Sequence, residues 1–76
     1  MAIEFEKGVA STKIGEINYQ GVKIMVHVGK KREADMIDIR LFFFSDEKDE
    51  WFPTKRGIRI PKKKFIELFE VLKQVL

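Results

Sequence analysis

Hydrophobic and polar residues alternate with a period of two through the middle of this chain, and switch to a period near 3.6 at its end. Val22, Ile24, Val26 and Val28 fall on one side, with Lys23, Met25 and His27 opposite. Such alternation among β-branched residues predicts a half-buried strand. Ile14, Ile17 and Tyr19 mark an earlier strand over 13–19, and Gln20-Gly21 between the two predicts a tight hairpin turn. After a charged loop over 29–34, a further strand is expected over 35–44. Ile37, Ile39 and Leu41 share one side of it, and Met36, Asp38, Arg40, Phe42 and Phe44 the other. Its three successive Phe residues make both faces apolar, which is unusual for a sheet with one solvated face. Residues 45–50 are an acidic turn. Pro53 after Trp51-Phe52 marks an edge or irregular segment, and 56–60 reads as a short last strand with Gly57 at a bulge or close approach. Pro61 suits a first helical turn. From there Phe65, Leu68, Phe69, Leu72 and Val75 form a broad helical stripe, widened by Ile66 and Val71. Residues 1–11 alternate weakly at Ile3, Phe5 and Val9 and read as a short edge strand or a loose arm. The expected fold is therefore α+β: a four-stranded antiparallel sheet followed by one C-terminal amphipathic helix, in a single domain over 1–76.

Size turns the apolar stripe into a prediction about assembly. The chain has 76 residues, of which 45% are hydrophobic and seven are Phe. A domain this small buries only about 60% of its unfolded surface. The stripe exceeds what one small sheet covers, so Phe65, Leu68, Phe69, Leu72 and Val75 are expected at a homodimer interface. Lys62–Lys64 at the helix N-terminus oppose the macrodipole, a placement with a cost to stability.

Composition narrows the chemistry. There is no Cys and a single His, so disulfides, thiol catalysis and Cys/His zinc sites are excluded. No Gly-rich phosphate loop opens a helix, and the acidic turn lacks the spacing of a calcium loop. An enzyme, a metal and a cofactor are therefore not expected. No apolar run approaches the roughly 20 residues of a membrane span, and with no leader segment an intracellular protein is expected. Net charge is +3, unevenly distributed. Lys30, Lys31 and Arg32 form one basic cluster. Lys55, Arg56, Arg59 and Lys62–Lys64 form another, with the acidic turn between them.

Cations beside aromatics on strands suit single-stranded nucleic acid, which is held by its phosphates and by stacking of its bases. Arg40, mid-strand among apolar residues, is either a phosphate ligand or the partner of Asp38. Phe43 and Trp51 are each either core or stacking platform. His27 is either a contact to a base or phosphate or an ordinary surface histidine.

Two segments in order carry a family resemblance. Ile37-Asp38-Ile39-Arg40 followed by aromatics leads through an acidic hairpin to Lys55-Arg56-Gly57-Ile58 and then a helix. Over about 22–76 this resembles the transcriptional coactivator positive cofactor 4 family. The resemblance implies a curved four-stranded sheet, a homodimer joined largely through its helices, and sequence-tolerant binding of single-stranded DNA in channels lined by both subunits. Transcription machinery is an implied partner. By position, Arg40 would meet phosphate, Phe43 would stand where a stacking Trp stands, Lys55 and Arg56 would meet the backbone, and Lys31 and Arg32 would lie in a hairpin that touches DNA. The family's stacking Phe in that hairpin aligns near Lys31, so this platform is absent, and Trp51 has no counterpart. Simple alternation also sets Phe43 and Arg40 on opposite faces. The rival readings are a small dimeric protein-interaction module and an RNA-binding module.

Overall fold

The computed structural model describes residues 3–6 and 9–76. A short antiparallel pair, β1 (Glu4–Glu6) and β2 (Val9–Ala10), precedes four longer strands. These are β3 (Thr12–Tyr19), β4 (Val22–Lys31), β5 (Ala34–Ser45) and β6 (Glu50–Pro61), paired antiparallel in the order β3-β4-β5-β6. The chain ends in α1 (Lys62–Leu72) and a 3-10 turn, Lys73–Val75. This is the four-stranded α+β architecture that the hydrophobic pattern predicts. Residues 1, 2, 7 and 8 of the expected arm, and the side chain of Val9, lie outside the described residues. No helix among the described residues is long and apolar enough to cross a membrane.

All four strands run longer than the pattern suggests, β4 and β6 most. The loop expected over 29–34 shrinks to a turn centred on Arg32 and Glu33, with φ of 52° and 67°. Positive φ at both central residues gives the primed turn geometry whose twist matches the flanking strands. Long charged side chains seldom adopt it, and nothing in their chemistry announces it. Gln20 and Gly21, with φ of 48° and 83°, make the tight turn expected of them. β6 begins at Glu50 rather than Arg56, and Pro53 is accommodated because β6 is an edge strand. Pro61 closes β6 and caps α1 instead of lying in its first turn.

Covering of the sheet departs most from expectation. Residues directly opposite one another in a ladder share a face. Met25 lies opposite Arg40, His27 and Arg59 opposite Asp38, Lys23 opposite Phe42, and Trp51 opposite Phe44. On the other face Ile24 meets Leu41, Val26 meets Ile39, and Ile39 meets Ile58. The pattern leaves His27 on the open side. Instead His27, Asp38, Met25 and Phe42 are buried, while Ile24, Val26 and Ile39 are only half-buried and Ile14, Ile17 and Ile58 are exposed.

The cover is the N-terminal arm. Ile3 and Phe5 join Met25 and Phe42 in the core, with Met36 and Trp51 packed against it. Ser11 fastens the arm. Its backbone N–H donates to the Ile3 carbonyl at 3.1 Å, its Oγ accepts from the Ile3 N–H at 3.1 Å, and its hydroxyl also donates to the Ile3 carbonyl. Burying side chains of this size stabilises by about 1.5–3 kcal/mol each.

The helix leaves its stripe largely uncovered. α1 touches β5 and β6 but has no buried residue. Phe65 and Leu68 are half-buried, whereas Phe69 and Leu72 are exposed and Val75 is 81% exposed. The first turn has neither an acidic residue nor a side-chain cap.

Candidate nucleic-acid interface

A buried carboxylate organises the cations of the covered face. Asp38 is fully buried and accepts from Arg40 Nε at 3.0 Å, Arg40 Nη2 at 2.8 Å and Arg59 Nε at 3.0 Å. A carboxylate taken out of water is costly unless such partners surround it. Two guanidiniums on one carboxylate leave the group net positive, and both reach partial exposure. Arg40 is thus the partner of Asp38, with its outer edge still reaching solvent. Arg59, grouped with the basic cluster by sequence but not assigned to the site, joins it through its place opposite Asp38.

A bulge at the sheet edge aims further cations. Arg40 pairs with Gly57 and Phe42 with Pro53, so Thr54, Lys55 and Arg56 all fall opposite Leu41. Arg40 Nη1 donates to the Thr54 carbonyl at 2.9 Å, and the Thr54 hydroxyl donates to the Leu41 carbonyl at 2.8 Å. The Thr54 hydroxyl in turn accepts from the Arg56 N–H at 3.1 Å. Thr54 therefore fixes the bulge, a role that no pattern in the sequence marks. Lys55 lines a cleft of about 730 Å³ together with Arg40 and Arg59. Arg56 lines a smaller hollow of about 280 Å³ with Ile24, Ile39 and Leu41. Neighbouring residues of one bulge thus serve opposite faces of the sheet.

The aromatics divide in the same way. Phe43 is 45% exposed, with its ring 6.1 Å from Phe52, and Lys48 Nζ lies 5.2 Å above Phe52. This pair lies on the face opposite Arg40, because β5 keeps strict alternation against β4. Trp51 is half-buried against the core, edge-on to Phe44 at 5.4 Å, with Lys23 Nζ 5.0 Å above its ring.

Other expected residues lie elsewhere. His27 is fully buried, stacked 5.5 Å from Phe42, and presents no surface to a ligand. Its burial follows from the arm, which covers a side that alternation leaves open. Lys30, Lys31 and Arg32 occupy the tip of the β4–β5 hairpin. That tip stands about 20 Å along β5 from Arg40, at about 3.3 Å per residue. Lys30 bonds Asp35 at 2.8 Å, which raises the lysine pKa and lowers that of the carboxyl.

The family model described as Transcriptional Coactivator p15 (PC4) matches residues 20–71, more than half of the chain. No curated protein and no solved structure gives a significant match.

Proposed function

The chain belongs to the transcriptional coactivator p15 (PC4) family, and on that premise we propose that it binds single-stranded DNA as a homodimer, with little sequence preference, in support of transcription. One observation carries this reading: the bulge of the edge strand β6 directs Lys55 to one face and Arg56 to the other, one strand away from Arg40 on β5. A single strand crossing that edge meets cations throughout. Lys55 and Arg40 take phosphates on the covered side, and Arg56 takes one on the opposite side, where Phe43 offers a ring to a base. Lys31 and Arg32, and Lys30 once released from Asp35, extend the basic track at the far hairpin.

Dimerisation follows from what a single chain leaves bare. The exposed Phe69, Leu72 and Val75, with the half-buried Phe65 and Leu68, form an apolar helix surface, and the sheet face of half-buried Ile24, Val26 and Ile39 with exposed Ile14, Ile17 and Ile58 forms a second. A second copy supplies the same two surfaces, so a two-fold pair covers both.

Titration of fluorescent poly-dT, the duplex of equal length and poly-rU at several salt concentrations tests this. The expected result is tight poly-dT binding that weakens steeply with salt, and weaker duplex binding. Equal affinity for poly-dT and duplex overturns the reading, as does affinity indifferent to salt. Preference for poly-rU moves it to RNA.

A further inference from the structure

The cleft under the N-terminal arm has features that contacts along an open sheet do not require. Arg40, Lys55 and Arg59 line it from the sheet, and Ile3 and Glu4 line it from the arm. It opens widely to solvent, and its volume of about 730 Å³ leaves room for a phosphate and the group attached to it. Among the described residues Arg59 makes one hydrogen bond, through Nε to Asp38, so both of its Nη groups are available. The Phe5 ring lies 4.4 Å from the Arg59 guanidinium carbon, a cation–π contact that holds it from the other side. A guanidinium gripped by a buried carboxylate at one edge and by a ring over its plane is pre-organised, which lowers the entropy lost on binding.

We propose that this cleft is a phosphate subsite in which Arg59 is the principal ligand and the arm forms the apolar wall against the attached sugar or base. The proposal rests on the reading of the chain as a single-strand binder. It adds that one nucleotide is seated in this open cleft, and that the arm belongs to the binding site. Arg59 and Lys55 supply donors, and Arg40 contributes its remaining edge. Ile3, buried in the core, gives the pocket an apolar side. Glu4 stands on the rim as a like charge to any anion. That placement weakens binding and makes Glu4 a sensitive probe.

The test uses the full chain with oligo-dT across a salt series, together with inorganic phosphate and thymidine 5′-monophosphate followed by NMR at the arginine Nε–Hε groups. Arg59→Gln is expected to weaken oligo-dT and flatten the salt slope by about 0.7, the value of one single-strand phosphate contact. Arg59→Lys is expected to restore the slope, because charge returns. Glu4→Gln, which removes no bond of the fold, is expected to tighten binding by about twofold to fivefold at low salt. The Arg59 resonance is expected to move with the mononucleotide more than with inorganic phosphate, since only the former uses the wall. Wild-type binding with an unchanged slope in Arg59→Gln and unchanged affinity in Glu4→Gln overturns the subsite and leaves the single-strand reading standing. A wild-type chain that fails to bind oligo-dT overturns both.

Discussion

Gly57 lies directly opposite Arg40 in the β5–β6 ladder, so close that a Cβ there would stand 2.4 Å from the Ile39 carbonyl oxygen and 2.7 Å from Arg40 Cα. Both obstacles are backbone and cannot swing aside. The glycine lets β6 close against β5 immediately after the bulge, which keeps Arg40 in reach of the Thr54 carbonyl. Gly57→Ala is expected to destabilise by about 1–3 kcal/mol, as overpacking does, and to weaken poly-dT binding by displacing Arg40. Denaturant melts and binding on the same variant check this. A native-like melt with native affinity overturns it.

A second glycine serves the arm. A Cβ at Gly29 would meet Phe5 Cδ2 at 2.9 Å and Ser11 Cβ at 3.3 Å. Gly29→Val is expected to lift the arm while the β4–β5 ladder survives. Hydrogen exchange should then speed up at the Ile3 and Ser11 amides, which bond within the arm, and stay slow at Met25 and Ile39. Unchanged exchange at Ile3 and Ser11 contradicts this account of the cover.

Phe43 and Arg56 separate stacking from phosphate contact. Phe43 is 45% exposed, so Phe43→Ala is expected to cost well below the roughly 3–5 kcal/mol of a buried Phe. As a platform, its loss should weaken poly-dT by about 1–3 kcal/mol with an unchanged salt slope. Arg56→Ala should flatten the slope by about 0.7, one single-strand phosphate contact, and act alike on all sequences. Poly-dT bound as tightly by Phe43→Ala as by wild type removes that ring from the site.

Leu72 tests assembly. It is 45% exposed in a single chain, so Leu72→Glu is expected to cost one fold less than a core substitution would. Sedimentation is expected to give a dimer for the wild type and a folded monomer for the variant at micromolar concentration. A monomeric wild type argues against a helix-mediated homodimer.

Glu16 provides a pH marker on the outer strand. It bridges Lys13 and Lys23, and its hydrogen bonds to Lys13 and then Lys23 hold its carboxyl at about 2, against an ordinary 4.5. A carboxyl pKa depressed in the folded state contributes stability above about 4.5 and loses it as pH falls towards about 2. A carbon-detected NMR titration should give a midpoint near 2 in the wild type. In Lys23→Gln the midpoint should rise towards the ordinary value. A wild-type midpoint near 4.5 excludes the bridge.

Alternation by itself determined the four strands and the helix, and turn chemistry the hairpin at Gln20-Gly21. A residue's neighbours two places away set which side of a strand it occupies, and that information is local. The β5 sequence already placed Phe43 and Arg40 on opposite faces, and β5 kept them there because its ladder with β4 runs without a bulge. What period two does not encode is which side of a sheet becomes covered. Two residues of a weakly patterned segment decided that, when Ile3 and Phe5 packed over Met25 and Phe42 and carried His27 and Asp38 into the interior. Arg59 and Thr54 entered the candidate site through contacts with Asp38 and Arg40 made across the β5–β6 ladder. Such contacts join residues 14 and 21 positions apart. Their energy depends on the register and the bulge, which exist only once the sheet has closed.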